Sequence, residues 1–224
     1  MAKLLMLFSL LLIACGGVDG QLCCEDGSKS SSSSQVYSSS EGSSSSCTPL
    51  DMDLNWQNAP PNSYIHGGTS ITMTAYQISK FLITQGQYKT IMGNNPSKGM
   101  QRDDLPIEGA TWFNAEEFCK KLSVQMCLEP DAIKLPTEAQ WEYAAYPQTI
   151  IIQRNPEYWE WTNDCFDSEY PIGTHDPSGP SNCPRDFPKV RKGFGNSFDV
   201  RNATDPNLEH ISGGHISFRV VKKQ

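Results

Sequence analysis

The chain is 224 residues long, with a net charge of −7 and eight cysteines. That length allows one folded domain plus appendages, and a folded part of about 160–175 residues would bury near 70% of its unfolded surface, enough for an independent core. The acidic balance, with no basic run beyond the closing Lys222-Lys223, argues against nucleic acid as a partner, since phosphate binding needs a concentrated cationic face.

Residues 1–15 read as an export signal. Lys3 supplies a positive start, and Leu4 to Ile13 is an apolar run too short to span a membrane. Leu12-Ile13-Ala14-Cys15 resembles a bacterial lipobox, which implies a lipid on Cys15 and removal of the residues before it. Each buried methylene of an acyl chain adds about 0.8 kcal/mol, so two or three chains on one residue would hold firmly. Gly16-Gly17 then carries no aspartate of the kind associated with inner-membrane retention, so the expected location is the bacterial cell envelope, lipid-anchored, with the outer membrane favoured.

Residues 16–55 read as a serine-rich disordered tether. Ser30 to Ser34, Ser38 to Ser40 and Ser43 to Ser46 dominate it, with Gly27, Gly42 and little that is apolar. Such a segment cannot bury enough surface to offset its ordering entropy. The part from Glu25 to Ser46 is expected to behave as a coil with an r.m.s. span on the order of 25 Å, long enough to lift a domain clear of head groups.

Residues 56–224 read as the folded domain. Ile71, Met73, Ala75 and Ile78 alternate loosely within Ser70 to Phe81, the pattern of a strand. Thr84 and Gln87 have capping-box spacing, opening a helix with Tyr88 and Met92 on one face, which Gly93-Asn94-Asn95-Pro96 ends. Asn114, with Glu117 three residues on, is the expected cap of the next helix, and Phe118, Leu122 and Met126 recur every four residues as a buried stripe requires. Thr137 and Gln140 form a third box, with Pro136 discouraging helix upstream and Glu138 suited to the positive end of the dipole. From Pro147 onward, Pro, Gly, Asn and Asp punctuate short apolar pieces, so loops and short strands are expected.

Eight cysteines in an exported chain normally read as disulfides. With Cys15 lipidated, Cys23, Cys24, Cys47, Cys119, Cys127, Cys165 and Cys183 remain, an odd number. Cys165–Cys183 across a Pro/Gly-rich loop and Cys119–Cys127 between a helix end and its exit are the pairings considered; Cα separations decide them. The histidines His66, His175, His210 and His215 are scattered, with no His-Glu-x-x-His or Cys-x-x-Cys.

Leu135-Pro136-Thr137-Glu138-Ala139-Gln140-Trp141-Glu142-Tyr143-Ala144-Ala145 closely resembles the signature of the formylglycine-generating enzyme (sulfatase-modifying factor) domain family. Tyr76 to Lys80, Ile83 to Tyr88, Asn95-Pro96-Ser97, Leu105-Pro106-Ile107, Thr111 to Ala115, Trp159 to Asp164 and Phe218 to Val221 follow the family's order. The resemblance implies an α+β, C-type-lectin-like fold with few helices, short strands and much irregular chain. In the family, two late cysteines hold copper for oxidation of a substrate cysteine, a sensible pair because soft thiolates select Cu(I). The matching stretch here is Val190 to Asn202, and no cysteine follows Cys183. Copper is therefore not expected, and the expected role is a membrane-anchored, non-catalytic binding or assembly module, its partner an envelope protein or a glycan. The alternative is an oxidoreductase of formylglycine-generating type using relocated ligands such as Cys165 and Cys183.

Glu160 matches a glutamate that binds calcium in characterised family members, but Gln153 and Pro156 stand where asparagine and glycine are usual. Calcium prefers several oxygen ligands including carboxylate, so Glu160 is the one candidate metal ligand. Trp159, Trp161, Phe194, Phe198, Asp199 and Arg201 are the residues expected to line or border the former substrate groove.

Overall fold

The computed structural model describes residues 47–146, 151–170, 173–195, 201–209 and 215–224. Contacts divide the chain into two units, Met1–Ser44 and Ser45–Gln224; every described residue belongs to the second. Cys15, Cys23, Cys24, Phe198, Asp199 and His210 lie outside the described residues.

Among the described residues, two four-stranded sheets and one hairpin make up the strand part. The first sheet is antiparallel in the order β1 (Trp56–Ala59), β4 (Tyr76–Ser79), β10 (Val221–Lys223) and β5 (Ile133–Lys134). It places β1 and β10, from opposite ends of the domain, on either side of β4. β2 (Asn62–His66) and β3 (Thr69–Met73) form the hairpin, with His66 opposite Thr69. Its two-residue loop, Gly67-Gly68, has φ of 54° and 83°, the left-handed conformations that a tight hairpin turn needs. The second sheet runs β8 (Arg201–Thr204), β7 (Lys189–Lys192), β6 (Tyr158–Cys165) and β9 (His215–Phe218), with β6 and β9 parallel.

The capping boxes at Thr84 and Thr137 open α1 (Gln85–Met92) and α3 (Glu138–Ala145), with both reciprocal bonds present in each. The helix between them, α2 (Trp112–Gln125), starts earlier than expected. Thr111, not Asn114, is its cap: the Thr111 hydroxyl accepts the Asn114 N–H while the Asn114 side chain accepts the Thr111 N–H. Asparagine here answers the cap from the third helical position. The single strand expected over Ser70 to Phe81 is split into β3 and β4, which join different sheets.

One core gathers Tyr88, Trp112, Phe118, Leu122, Trp161 and Phe218 between α1, α2 and the second sheet. A second gathers Tyr64, Ile71, Tyr76, Ile78, Trp141 and Tyr143 around α3 and the hairpin. Residues 47–55, assigned to the tether by composition, are part of the packed structure. Leu54 is buried, the Leu50 N–H donates to the Gln125 carbonyl at 2.8 Å, and Cys47 bonds Cys127 with Cα atoms 5.8 Å apart.

That bond corrects the expected Cys119–Cys127 pairing. Eight residues separate the two along and just beyond α2, roughly 12 Å on a helix axis, too far for one disulfide. Cys119 faces the core as a buried thiol, and Cys127, just past the helix end, reaches Cys47 instead. Cys165 and Cys183 are bridged, with Cα atoms 6.3 Å apart.

Candidate functional site

The second sheet sorts its side chains by strand alternation. Glu160 and Lys192 are opposite one another and face α3, while Trp161 and Arg191 are opposite one another and face α2. Chemistry-bearing residues thus divide between two faces.

On the α3 face, Glu160 is completely committed. Arg219 brings Nε to 2.5 Å from its Oε2 and Nη2 to 2.8 Å from Oε1, and the Trp141 indole N–H donates to Oε2 at 2.8 Å. The guanidinium also donates to the carbonyls of Ser79, Lys80 and Gln153, joining the end of β4 and the β6 approach to the second sheet. Gly193 completes the fit: a Cβ there would lie 2.8 Å from the Trp141 ring, and its φ is 99°. Glu160 therefore does not fit calcium, since both its oxygens already hold a cation of the chain itself. Among the described residues, no three His, Cys, Asp or Glu side chains converge on a metal-sized site.

Beside this lock is a second charge cluster. The Lys192 ammonium, fully buried, lies 2.6 Å from Glu142 Oε1 and 3.4 Å from Glu138 Oε1. Arg201 grips Glu138 with Nε at 2.7 Å and Nη2 at 2.9 Å, and its Nη1 donates to the Asp167 carbonyl. Glu142 Oε2 receives His66 Nδ1 at 3.0 Å and the hydroxyls of Tyr64 and Tyr170 at 3.2 and 3.3 Å. The i, i+4 spacing of Glu138 and Glu142 puts both on one face of α3, where the side-chain alternation of β7 brings Lys192.

Burial raises the Glu138 carboxyl, with Lys192 and Arg201 working against it. For Glu142 burial also works upward, yet the His66 hydrogen bond and the Lys192 ammonium outweigh it and leave the group below its ordinary value. The hydrogen bond to Glu142 raises His66 above its ordinary 6.5, against the effect of burial. A raised histidine contributes stability that is full below its unfolded value and lost as pH rises through the folded one. The melting-temperature difference between wild type and His66→Gln is therefore expected to be larger at pH 6 than at pH 8.5. Thermal denaturation across that range checks it. Asp164, pushed up to about 6 by burial, likewise loses its share as pH rises through about 6, and it is common to both proteins.

On the α2 face, Trp161 is fully buried, with its indole N–H on the Ala110 carbonyl at 3.0 Å. It is a core residue, not a groove residue: its position on β6 puts it in the same buried cluster as Trp112 and Phe218. Trp159 stacks on Phe194 with centroids 5.4 Å apart and planes 8° from parallel. The Arg191 guanidinium lies 4.3 Å from the Trp159 centroid, and its Nε and Nη1 are buried without a hydrogen-bond partner. Arg201, expected beside the tryptophans, turns to Glu138 on the other face. The aromatic patch has Arg191 in its place, a residue that sequence reasoning passed over as part of a glycine-turn stretch.

The copper pair of the family does not fit this chain. Cys165 and Cys183 are bonded to each other, Cys47 to Cys127, and the thiol left among the described residues, Cys119, is buried with its ionisation suppressed by that burial.

These features give a fold of the sulfatase-modifying-factor type. Residues 51–149 match the family described as "Sulfatase-modifying factor enzyme 1-like domain", so the resemblance carried by Leu135 to Ala145 holds. The "Chaperone protein LppX" of Paenibacillus barcinonensis is 32% identical over 106 residues, covering 34% of this chain and 38% of that protein, so well under half of the relative's length is matched. Among solved structures, "Treponema denticola variable protein 1" aligns with a TM-score of 0.59 at 18% identity, covering 75% of this chain and 95% of that one. PvdO from Pseudomonas aeruginosa aligns at 0.56 and 13% identity, over 75% and 94% of the two chains. CarF aligns at 0.56 and 14% identity, over 77% and 99%. At these identities the structural likenesses establish the fold: α+β, with few helices and short strands.

Proposed function

We propose that this chain is a non-catalytic binding module of a bacterial cell envelope, held by lipid on Cys15, outer membrane favoured, with an envelope protein or glycan as its partner. The observation that carries the reading is Arg191. A half-buried guanidinium whose Nε and Nη1 are covered and unmatched costs free energy unless something accepts them, and here it lies against a stacked Trp159–Phe194 pair. Aromatic and arginine side chains together are frequent binding anchors. The ionised groups on the other face are neutralised within the chain, which suits a rigid scaffold better than acid–base turnover.

The test is a screen of the purified chain against envelope proteins and glycans. A saturable partner is expected, with affinity reduced at least tenfold by Arg191→Gln and little changed by Lys98→Gln, a substitution at an exposed ion pair remote in sequence. A clean negative across both classes leaves the reading without support. The anchor is tested separately. Cys15→Ser is expected to abolish acylation and move the protein from the membrane fraction to the soluble one. Retention of that variant in membranes after a high-salt wash would contradict the anchor.

A further inference from the structure

We propose that Cys165–Cys183 is an exchangeable disulfide, a site where a dithiol donor attacks Cys183 and the Lys189 ammonium receives the Cys165 thiolate. Lys189 is buried on β7, and its Nζ lies 3.1 Å from Cys165 Sγ and 3.8 Å from Cys183 Sγ. Its other close neighbour is the Trp112 ring, 4.1 Å from Nζ to the centroid. No described carboxylate makes an ion pair with it; Glu116 on α2, Asp164 on β6 and Arg185 are the charged groups in its surroundings. A buried ammonium facing two disulfide sulfurs has weak acceptors for partners in the oxidised state. Reduction would give it a full counter-charge.

The two sulfurs are not equivalent. Cys165 is buried on β6, whereas Cys183 is half-buried on a loop whose neighbours Ser181, Asn182 and Pro184 are exposed. A polar cleft of about 290 Å³ opens on the pair, walled by Trp112, Asp164, Ser178, Gly179, Ser181 and Lys189. The cleft and the half-buried Cys183 make Cys183 Sγ the sulfur that a donor thiolate attacks. The new S–S bond forms there, the Cys165–Cys183 bond breaks, and the electron pair leaves on Cys165 Sγ beside Nζ. The donor's second thiol then attacks the mixed disulfide, releasing Cys183 as a thiolate. Two electrons have passed, the donor leaves as a disulfide, and its two protons go to solvent or to the new thiolates. Exchange is faster the better the leaving thiolate is stabilised, and a neighbouring cation provides that stabilisation.

Cys47–Cys127 is a control within the same molecule, because Cys47 is exposed and simple access would open that bond first. The full-length chain, solubilised in detergent, is titrated with dithiothreitol, quenched by alkylation and mapped by mass spectrometry. Cys165–Cys183 is expected to open at least tenfold faster than Cys47–Cys127. Lys189→Met is expected to slow it at least fivefold, while Lys189→Arg retains most of the rate. In the reduced wild-type chain, Cys165 is expected to alkylate with a midpoint below the ordinary thiol value of about 8.5, a readout that needs no variant. Opening of Cys47–Cys127 first, or a Cys165 midpoint at or above the ordinary value, would overturn the proposal.

Discussion

Arg219→Met is expected to lower the unfolding free energy by about 3–5 kcal/mol, the range for breaking a buried ion pair from one side. Arg219 is fully buried and makes two bonds to Glu160 and three to the carbonyls of Ser79, Lys80 and Gln153. Methionine fills part of the volume but leaves a carboxylate in the core with the Trp141 hydrogen bond and the more distant charge of Arg154. The three carbonyls each lose one donor as well, the Lys80 carbonyl keeping the Gln153 N–H. Urea unfolding followed by tryptophan fluorescence measures the loss, and Trp141, against Glu160, reports on the site itself. A loss under 1 kcal/mol would mean that the two sheets are joined mainly by apolar packing. That threshold is the upper end of what an exposed pair contributes, about 1 kcal/mol.

Lys192→Met is the second large effect, expected at about 3 kcal/mol. Without the ammonium, Glu142 keeps His66 and two tyrosine hydroxyls, and Glu138 keeps Arg201, but two carboxylates then share a dry space with less positive charge. The double variant Lys192→Met with Glu142→Gln should recover part of the loss, since removing both partners leaves no uncompensated charge. Denaturant unfolding of the three variants as a double-mutant cycle isolates the coupling. If the double variant is less stable than the single by the full additive amount, the two residues do not act as a pair.

How far the sequence reached depended on whether a feature was local. The boxes at Thr84 and Thr137 need only residues three apart, and both were legible. So was the Leu135 to Ala145 signature, whose Trp141 and Glu142 turn out to touch Glu160 and Lys192. The α2 cap was missed because Asn114 is itself a good cap residue, and its role as the box partner of Thr111 appears only with the backbone. Glu160 looked like a calcium ligand because its true partner, Arg219, is 59 residues away and was visible only as part of a terminal Phe-Arg-Val-Val. Alternation along Lys189-Val190-Arg191-Lys192 was available as a signal that cations face both sides of a strand. It needed the register of β7 against β6 to show that Lys192 meets glutamates while Arg191 meets Trp159. Cys127 had a partner in residues that composition assigned to the tether, so no helix-based argument would have paired it with Cys47.

The proposal that this chain is a non-catalytic module, although residues 51–149 match a sulfatase-modifying-factor domain, is tested most directly on a peptide. The full-length chain is incubated aerobically with copper and a cysteine-containing sulfatase peptide, and the peptide mass is followed against a control holding copper and peptide but no protein. With Cys165 held by Cys183 and no cysteine later in the chain, the expected result is the same mass spectrum as the control at every time point. Enzymatic conversion of the peptide cysteine to an oxidised product above the control would contradict it.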